Sequence, residues 1–104
     1  MKRFRLGPPD LEEGQYRSVD LRERIILVSR FDGRYWAISD WCNHAGCLLS
    51  QGEAEGRYIT CPCHGVTFDL ITGTNVNAPH VCGDQDAWDV AIEDGELTLT
   101  LEED

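Results

Sequence analysis

The chain has 104 residues, 41% of them hydrophobic, with a formal net charge of −10 and five cysteines. That length suits one domain with one modest core, and the charge is uneven: residues 1–52 carry eight basic and seven acidic side chains, residues 53–104 only Arg57 against twelve acidic ones. The missing Lys/Arg clusters argue against nucleic acid and the lack of any long apolar run against a membrane span, whereas the acidity suits either a partner with a basic face or solubility alone.

Strand signals dominate from the start. Lys2 to Leu6 is a short strand, stopped by Gly7-Pro8-Pro9, which cannot continue a sheet interior. Met1-Lys2-Arg3-Phe4 leads into no apolar stretch of the kind a secretion signal needs, so the expected compartment is the cytoplasm. Asp10 to Glu13 reads as a turn or loop and Gln15 to Leu21 as a second strand. Arg24 to Arg30 is rich in β-branched residues and reads as a buried strand. Asp32-Gly33 supplies the positive-φ positions of a tight hairpin, and Arg34 to Ser39 returns as the partner strand. Gly52 to Gly56 reads as a turn, Arg57 to Thr60 and Gly65 to Asp69 as strands, and Thr72-Gly73 as the turn that follows. Residues 74–86 show no periodicity and are expected to form a loop. Ala87 to Glu93 alternates, with Trp88, Val90 and Ile92 on one face. Asp94-Gly95 turns the chain into Glu96 to Leu101, where Leu97, Leu99 and Leu101 point inward and Thr98 and Thr100 outward. Glu102-Glu103-Asp104 is expected to fray. The fold class that results is all-β.

Two Cys/His segments interrupt this plan. The first is Cys42-Asn43-His44-Ala45-Gly46-Cys47, mounted on the end of the hairpin; the second is Cys61-Pro62-Cys63-His64-Gly65. Thiolates and imidazoles are ligands for soft and borderline metals, and metal ligation explains a high cysteine count in a reducing compartment. A single zinc ion takes paired ligands two to four residues apart, and one intervening residue in Cys42-x-His44 leaves little slack for a tetrahedral angle. The spacing is comfortable when the two side chains bind different metals of a dinuclear cluster. A structural zinc site remains the alternative.

The pattern C-x-H, sixteen residues, then C-x-x-H resembles that of the Rieske [2Fe–2S] family, in which one iron takes two cysteines and the other two histidines. The resemblance implies that Cys42 and Cys61 ligate the inner iron and His44 and His64 the outer one. It implies a Rieske-like fold: an antiparallel β sandwich or barrel base carrying a small two-loop cluster-binding subdomain at about residues 40–82 of a single 1–104 domain. Leu48 and Leu49 are expected to cover the cluster. Cys47 and Cys63 fall where quinol-oxidising Rieske proteins have a disulfide across the two loops, so the resemblance implies that pairing here; two free thiols, which a reducing cytoplasm favours, are the alternative. The chain departs from that subfamily at Val66, where those proteins have a serine, and at Phe68, where they have a tyrosine. Without the two hydroxyls a lower reduction potential is expected.

The remaining candidates are weaker. His80 is expected either to be an ordinary loop histidine or to line a docking surface. Cys82 fits no ligand position and is expected to be a free thiol, Trp36, Trp41 and Trp88 to be core or cluster cover, and Arg57 to make a surface salt bridge. With three histidines in all, two of them assigned to the cluster, no two-histidine mononuclear iron site is left, and no nucleotide-binding glycine motif is present. The expected function is therefore one-electron transfer rather than catalysis, as a Rieske-type ferredoxin between a reductase and a terminal oxygenase or similar oxidoreductase. The alternative is a tightly bound small subunit of a larger oxidoreductase, of the nitrite reductase or arsenite oxidase type.

Overall fold

The computed structural model describes residues 2–43, 46–63 and 65–101. The expected frayed end at 102–104 lies outside them. Among the described residues, nine strands form two antiparallel sheets. The larger contains β1 (Lys2–Gly7), β2 (Tyr16–Asp20), β3 (Ile25–Phe31), β4 (Arg34–Ser39), β8 (Ala87–Glu93) and β9 (Glu96–Leu101) in the order β1-β9-β8-β4-β3-β2. The smaller contains β5 (Glu53–Glu55), β6 (Tyr58–Thr60) and β7 (Thr67–Asp69). Among the described residues no helix is long and apolar enough to cross a membrane.

The β3–β4 hairpin is the wall on which both halves are built. Successive strand residues face opposite sides, so the consecutive apolar run Ile25 to Val28 must be buried on both. Ile26, Val28 and Ala37 face one core with Leu6, Leu97, Leu99 and Leu101. Leu27 and Ile38 face the other, with Leu49, Ile59, Val66, Phe68 and Leu70. The large sheet curls into a half-barrel around the first core, because Leu6 from one edge strand and Val19 from the other pack there together. The open seam is bridged by Arg17 of β2, whose guanidinium donates to the Leu6 and Pro8 carbonyls (both 3.1 Å) and to Asp10 (2.7 Å). Those donations occupy carbonyls where the chain leaves the exposed edge, the kind of feature that blunts edge-to-edge association.

Three expectations need correction, and one short element is added to the plan. Glu53–Glu55 is a strand, not part of a turn; all three residues are exposed, and pairing with β6 rather than any apolar pattern makes it one. A single 3-10 turn at Leu49–Gln51 was not anticipated. Ile92 is 58% exposed, because the pairing of β4 with β8 ends at Trp36↔Asp89 and leaves the end of β8 uncovered on that side. Thr98 is buried, not outward: it lies on the central strand β9, between Arg5 and Ala91 in register, and its hydroxyl donates to Glu93 at 3.0 Å.

Candidate metal centre

Each Cys/His segment is the tip of a hairpin. Trp41 bridges Leu48 across the first, and Thr60 pairs with Thr67 across the second. The backbones then repeat. The Cys42 N–H donates to the Cys47 carbonyl (2.7 Å), and the Cys61 N–H to the Val66 carbonyl (2.8 Å). Four residues past each cysteine a glycine N–H returns to that cysteine's carbonyl, Gly46 to Cys42 and Gly65 to Cys61, both at 3.1 Å. Gly46 has φ +69° and Gly65 φ +71°, a left-handed conformation that costs glycine little and other residues more. The described ends of two different segments thus share the same pair of backbone bonds and the same left-handed glycine.

This twinning puts the two leading cysteines in equivalent places. Cys42 and Cys61 are buried, and both belong to the core that contains Leu49, Ile59 and Phe68. Leu49, expected as cover, is fully buried there, while Leu48 is half-buried. Cys47 and Cys63 are joined as a disulfide across the loops, with Cα atoms 6.4 Å apart. His44 and His64 lie outside the described residues. Two sulfur donors from separate loops, brought into one apolar core, fit the sulfur half of an iron–sulfur centre in donor type and in number.

The loops are anchored by polar residues that sequence reasoning did not single out. Asp40, two positions before Cys42, is fully buried. Its carboxylate accepts from the hydroxyls of Ser18 and Ser50 (2.6 Å each) and from the Ser50 N–H (2.7 Å), tying β2 and the 3-10 turn to the first loop. Residues 74–86 have no regular structure yet are densely bonded. Asn75 is buried and donates to the carbonyls of Ala78 and Cys82 (2.9 and 3.0 Å), with the Cys82 sulfur at 3.5 Å. A run rich in Asn and Asp is a recognisable signal for such side-chain-to-backbone turns; Asp40 gave no signal.

The surroundings of the site are mixed in exposure. Val66 and Phe68 are buried, so the positions where hydroxyls are missing face the interior. Trp41 is 53% exposed rather than part of the core, and its indole lies over Gly46. His80 is exposed on the third loop. Arg57 makes the expected ion pair, bidentate to Asp69 at 2.7 and 3.1 Å, and that hydrogen bonding raises the guanidinium's already high pKa.

Comparison with known proteins gives a consistent result. The Rieske [2Fe-2S] domain matches residues 6–88. The ferredoxin component of the naphthalene 1,2-dioxygenase/salicylate 5-hydroxylase systems of a Ralstonia species is 31% identical over 93 residues, 89% of this chain and 88% of that protein. Among solved structures, the ferredoxin of carbazole 1,9a-dioxygenase from Nocardioides aromaticivorans IC177 superposes with a TM-score of 0.80 at 28% identity, covering 98% of this chain and all of that one. A chain in the complex of reduced oxygenase and oxidized ferredoxin in carbazole 1,9a-dioxygenase superposes with a TM-score of 0.79 at 27% identity, covering 93% of this chain and all of that one.

Proposed function

The chain belongs to the Rieske [2Fe-2S] domain family, and we propose that it is a soluble one-electron carrier working between a reductase and a terminal oxygenase. The observation that carries this reading is the pair of twinned loops converging on two buried cysteines, in a fold that superposes along almost its whole length on ferredoxins of dioxygenase systems. The family's group is a Rieske-type [2Fe–2S] cluster, which supplies reversible uptake of one electron when bound.

In this reading Cys42 and Cys61 hold the inner iron and His44 and His64 the outer one. The Cys47–Cys63 disulfide clamps the two loops together. The whole chain acts as one domain, with residues from about 40 to 82 as its cluster-binding part. The buried walls at Leu49, Phe68 and Val66 keep water from the sulfur side. The proposed compartment is the cytoplasm, where thiols are kept reduced and metal ligation accounts for a high cysteine count. Acidic side chains such as Asp84, Asp86 and Asp89 are exposed and suit encounter with a basic-faced partner, which salt weakens.

The test is reduction of the purified chain by a dioxygenase-system reductase, followed by reoxidation with the matching terminal oxygenase. One electron per chain should pass in each direction, more slowly at high salt. A chain that exchanges no electron with either component refutes the carrier role. One that purifies only at fixed stoichiometry with a larger oxidoreductase is instead its bound subunit.

A further inference from the structure

The third loop, residues 74–86, contributes none of the proposed ligands, yet it grips the backbone of both ligand loops. On the first loop, Gln85 is 5% exposed. Its Nε2 donates to the carbonyls of Ser39 (2.8 Å) and Trp41 (2.7 Å), and its Oε1 accepts from the Asn43 N–H (2.9 Å). One amide side chain therefore holds the main chain at positions 39, 41 and 43, on both sides of Cys42 and up to the residue before His44. The first loop answers: Asn43 Nδ2 donates to the carbonyls of Gly83 (3.0 Å) and Asp84 (3.2 Å).

On the second loop the same role falls to Asn77. Its Nδ2 donates to the carbonyl of Gly65, the residue after His64, at 2.9 Å, and its Oδ1 accepts from the Thr67 N–H at 2.8 Å. The two arms are braced against each other. Asn75 ties the loop's interior to Ala78 and Cys82, and its own N–H donates to Asp84 at 2.9 Å. The Gln85 N–H is anchored to the Gly73 carbonyl at 2.8 Å, where Gly73 has φ +79° and a side chain would collide with the Gln85 carbonyl.

We propose that Gln85 and Asn77 are positioning residues for the metal centre: a two-armed clasp through which the third loop sets how the two ligand loops sit relative to each other. Side chains that bind no metal then tune the centre's geometry and retention, as outer-shell partners of metal ligands do. This rests on the cluster reading above. Gln85 is buried, and the backbone bonds of both amides are met together only in one arrangement, so the clasp favours a single loop spacing over a range of them.

The test uses the cluster-bound chain with Gln85→Met, Asn77→Ala and, as a control in the base sheet, Thr98→Val. Readouts are iron content, the g-values of the dithionite-reduced electron paramagnetic resonance signal, the midpoint potential, and the rate at which visible absorption bleaches. The clasp predicts displaced g-values and potential in both loop variants, with bleaching about tenfold faster. Thr98→Val should lower unfolding stability and leave all cluster signals where they were. The clasp is overturned if both loop variants keep wild-type g-values, potential and bleaching rate and change only the unfolding midpoint. If Gln85→Met does not fold, Asn77→Ala, at an exposed side chain, decides alone by the same criteria. A wild-type chain that holds no iron would refute the reading beneath the clasp, and the clasp with it, which is a different result from unchanged signals in a red-brown variant.

Discussion

Replacing Asp40 by alanine should be among the most damaging single changes in the chain. The carboxylate is fully buried and accepts three hydrogen bonds, two from hydroxyls at 2.6 Å and one from the Ser50 N–H at 2.7 Å. Hydrogen bonds to charged acceptors contribute about 1.5–3 kcal/mol each. The hydroxyls of Ser18 and Ser50 can rotate toward other acceptors, but the Ser50 N–H points where the backbone puts it, so part of the loss cannot be recovered. A net cost of about 3–5 kcal/mol follows. For a domain whose total stability is on the order of 5–15 kcal/mol, that is a lowering of the melting midpoint by roughly 12 °C or more. Asp40→Asn keeps one acceptor for the Ser50 N–H and presents an amide that both hydroxyls can meet, so its cost should be only about 1–2 kcal/mol. Urea titration at matched iron content measures both, with an unchanged slope showing that the midpoint reports stability. A cost below about 0.5 kcal/mol for Asp40→Ala would refute the view that this carboxylate holds β2, the 3-10 turn and the first ligand loop together.

Other outcomes follow from the same structure. Serine at both Cys47 and Cys63 opens a link across a sequence separation of 16, which should cost about 3 kcal/mol by loop-closure entropy, read as the difference in urea midpoint; no difference would mean the link constrains nothing in the unfolded chain. Val66→Ser and Phe68→Tyr should each raise the midpoint potential, by about 40–90 mV if the new hydrogen bond favours the reduced cluster by 1–2 kcal/mol; a lowered potential in redox titration would contradict the assignment of those positions to the sulfur side. Gly52→Ala should destabilise strongly, because a Cβ there overlaps the Thr60 carbonyl just ahead of Cys61, whereas Gly56→Ala, with open space but φ +61°, should cost about 1 kcal/mol; equal unfolding midpoints would refute the packing argument.

Much of the fold was legible because each feature had a local cause. The β3–β4 hairpin announced itself through apolar residues at consecutive positions and Asp32-Gly33 between them, and the reason it is apolar on both faces is that two cores lean on it. The paired Cys/His segments were legible because ligand spacing is a property of sequence. What sequence did not show was made by pairing and by distance. Glu53–Glu55 is a strand only because Tyr58–Thr60 lies beside it. Ile92 shares the alternation of Trp88 and Val90 but lies past the last residue of β4 that reaches β8, so periodicity alone could not tell that it would be exposed. Gln85 reaches Asn43 across a separation of 42 residues, and nothing local to either residue marks that contact.

The central claim is the Rieske centre, and its most direct test is the as-purified chain itself: visible absorption, the electron paramagnetic resonance spectrum after dithionite reduction, and iron and zinc analysis on one sample. The account predicts a red-brown protein with about two irons per chain and a reduced signal whose average g lies below that of all-cysteine [2Fe–2S] proteins, as mixed Cys₂/His₂ ligation requires. A colourless protein carrying one tightly bound zinc would contradict it, and the twinned loops would then be a structural zinc site.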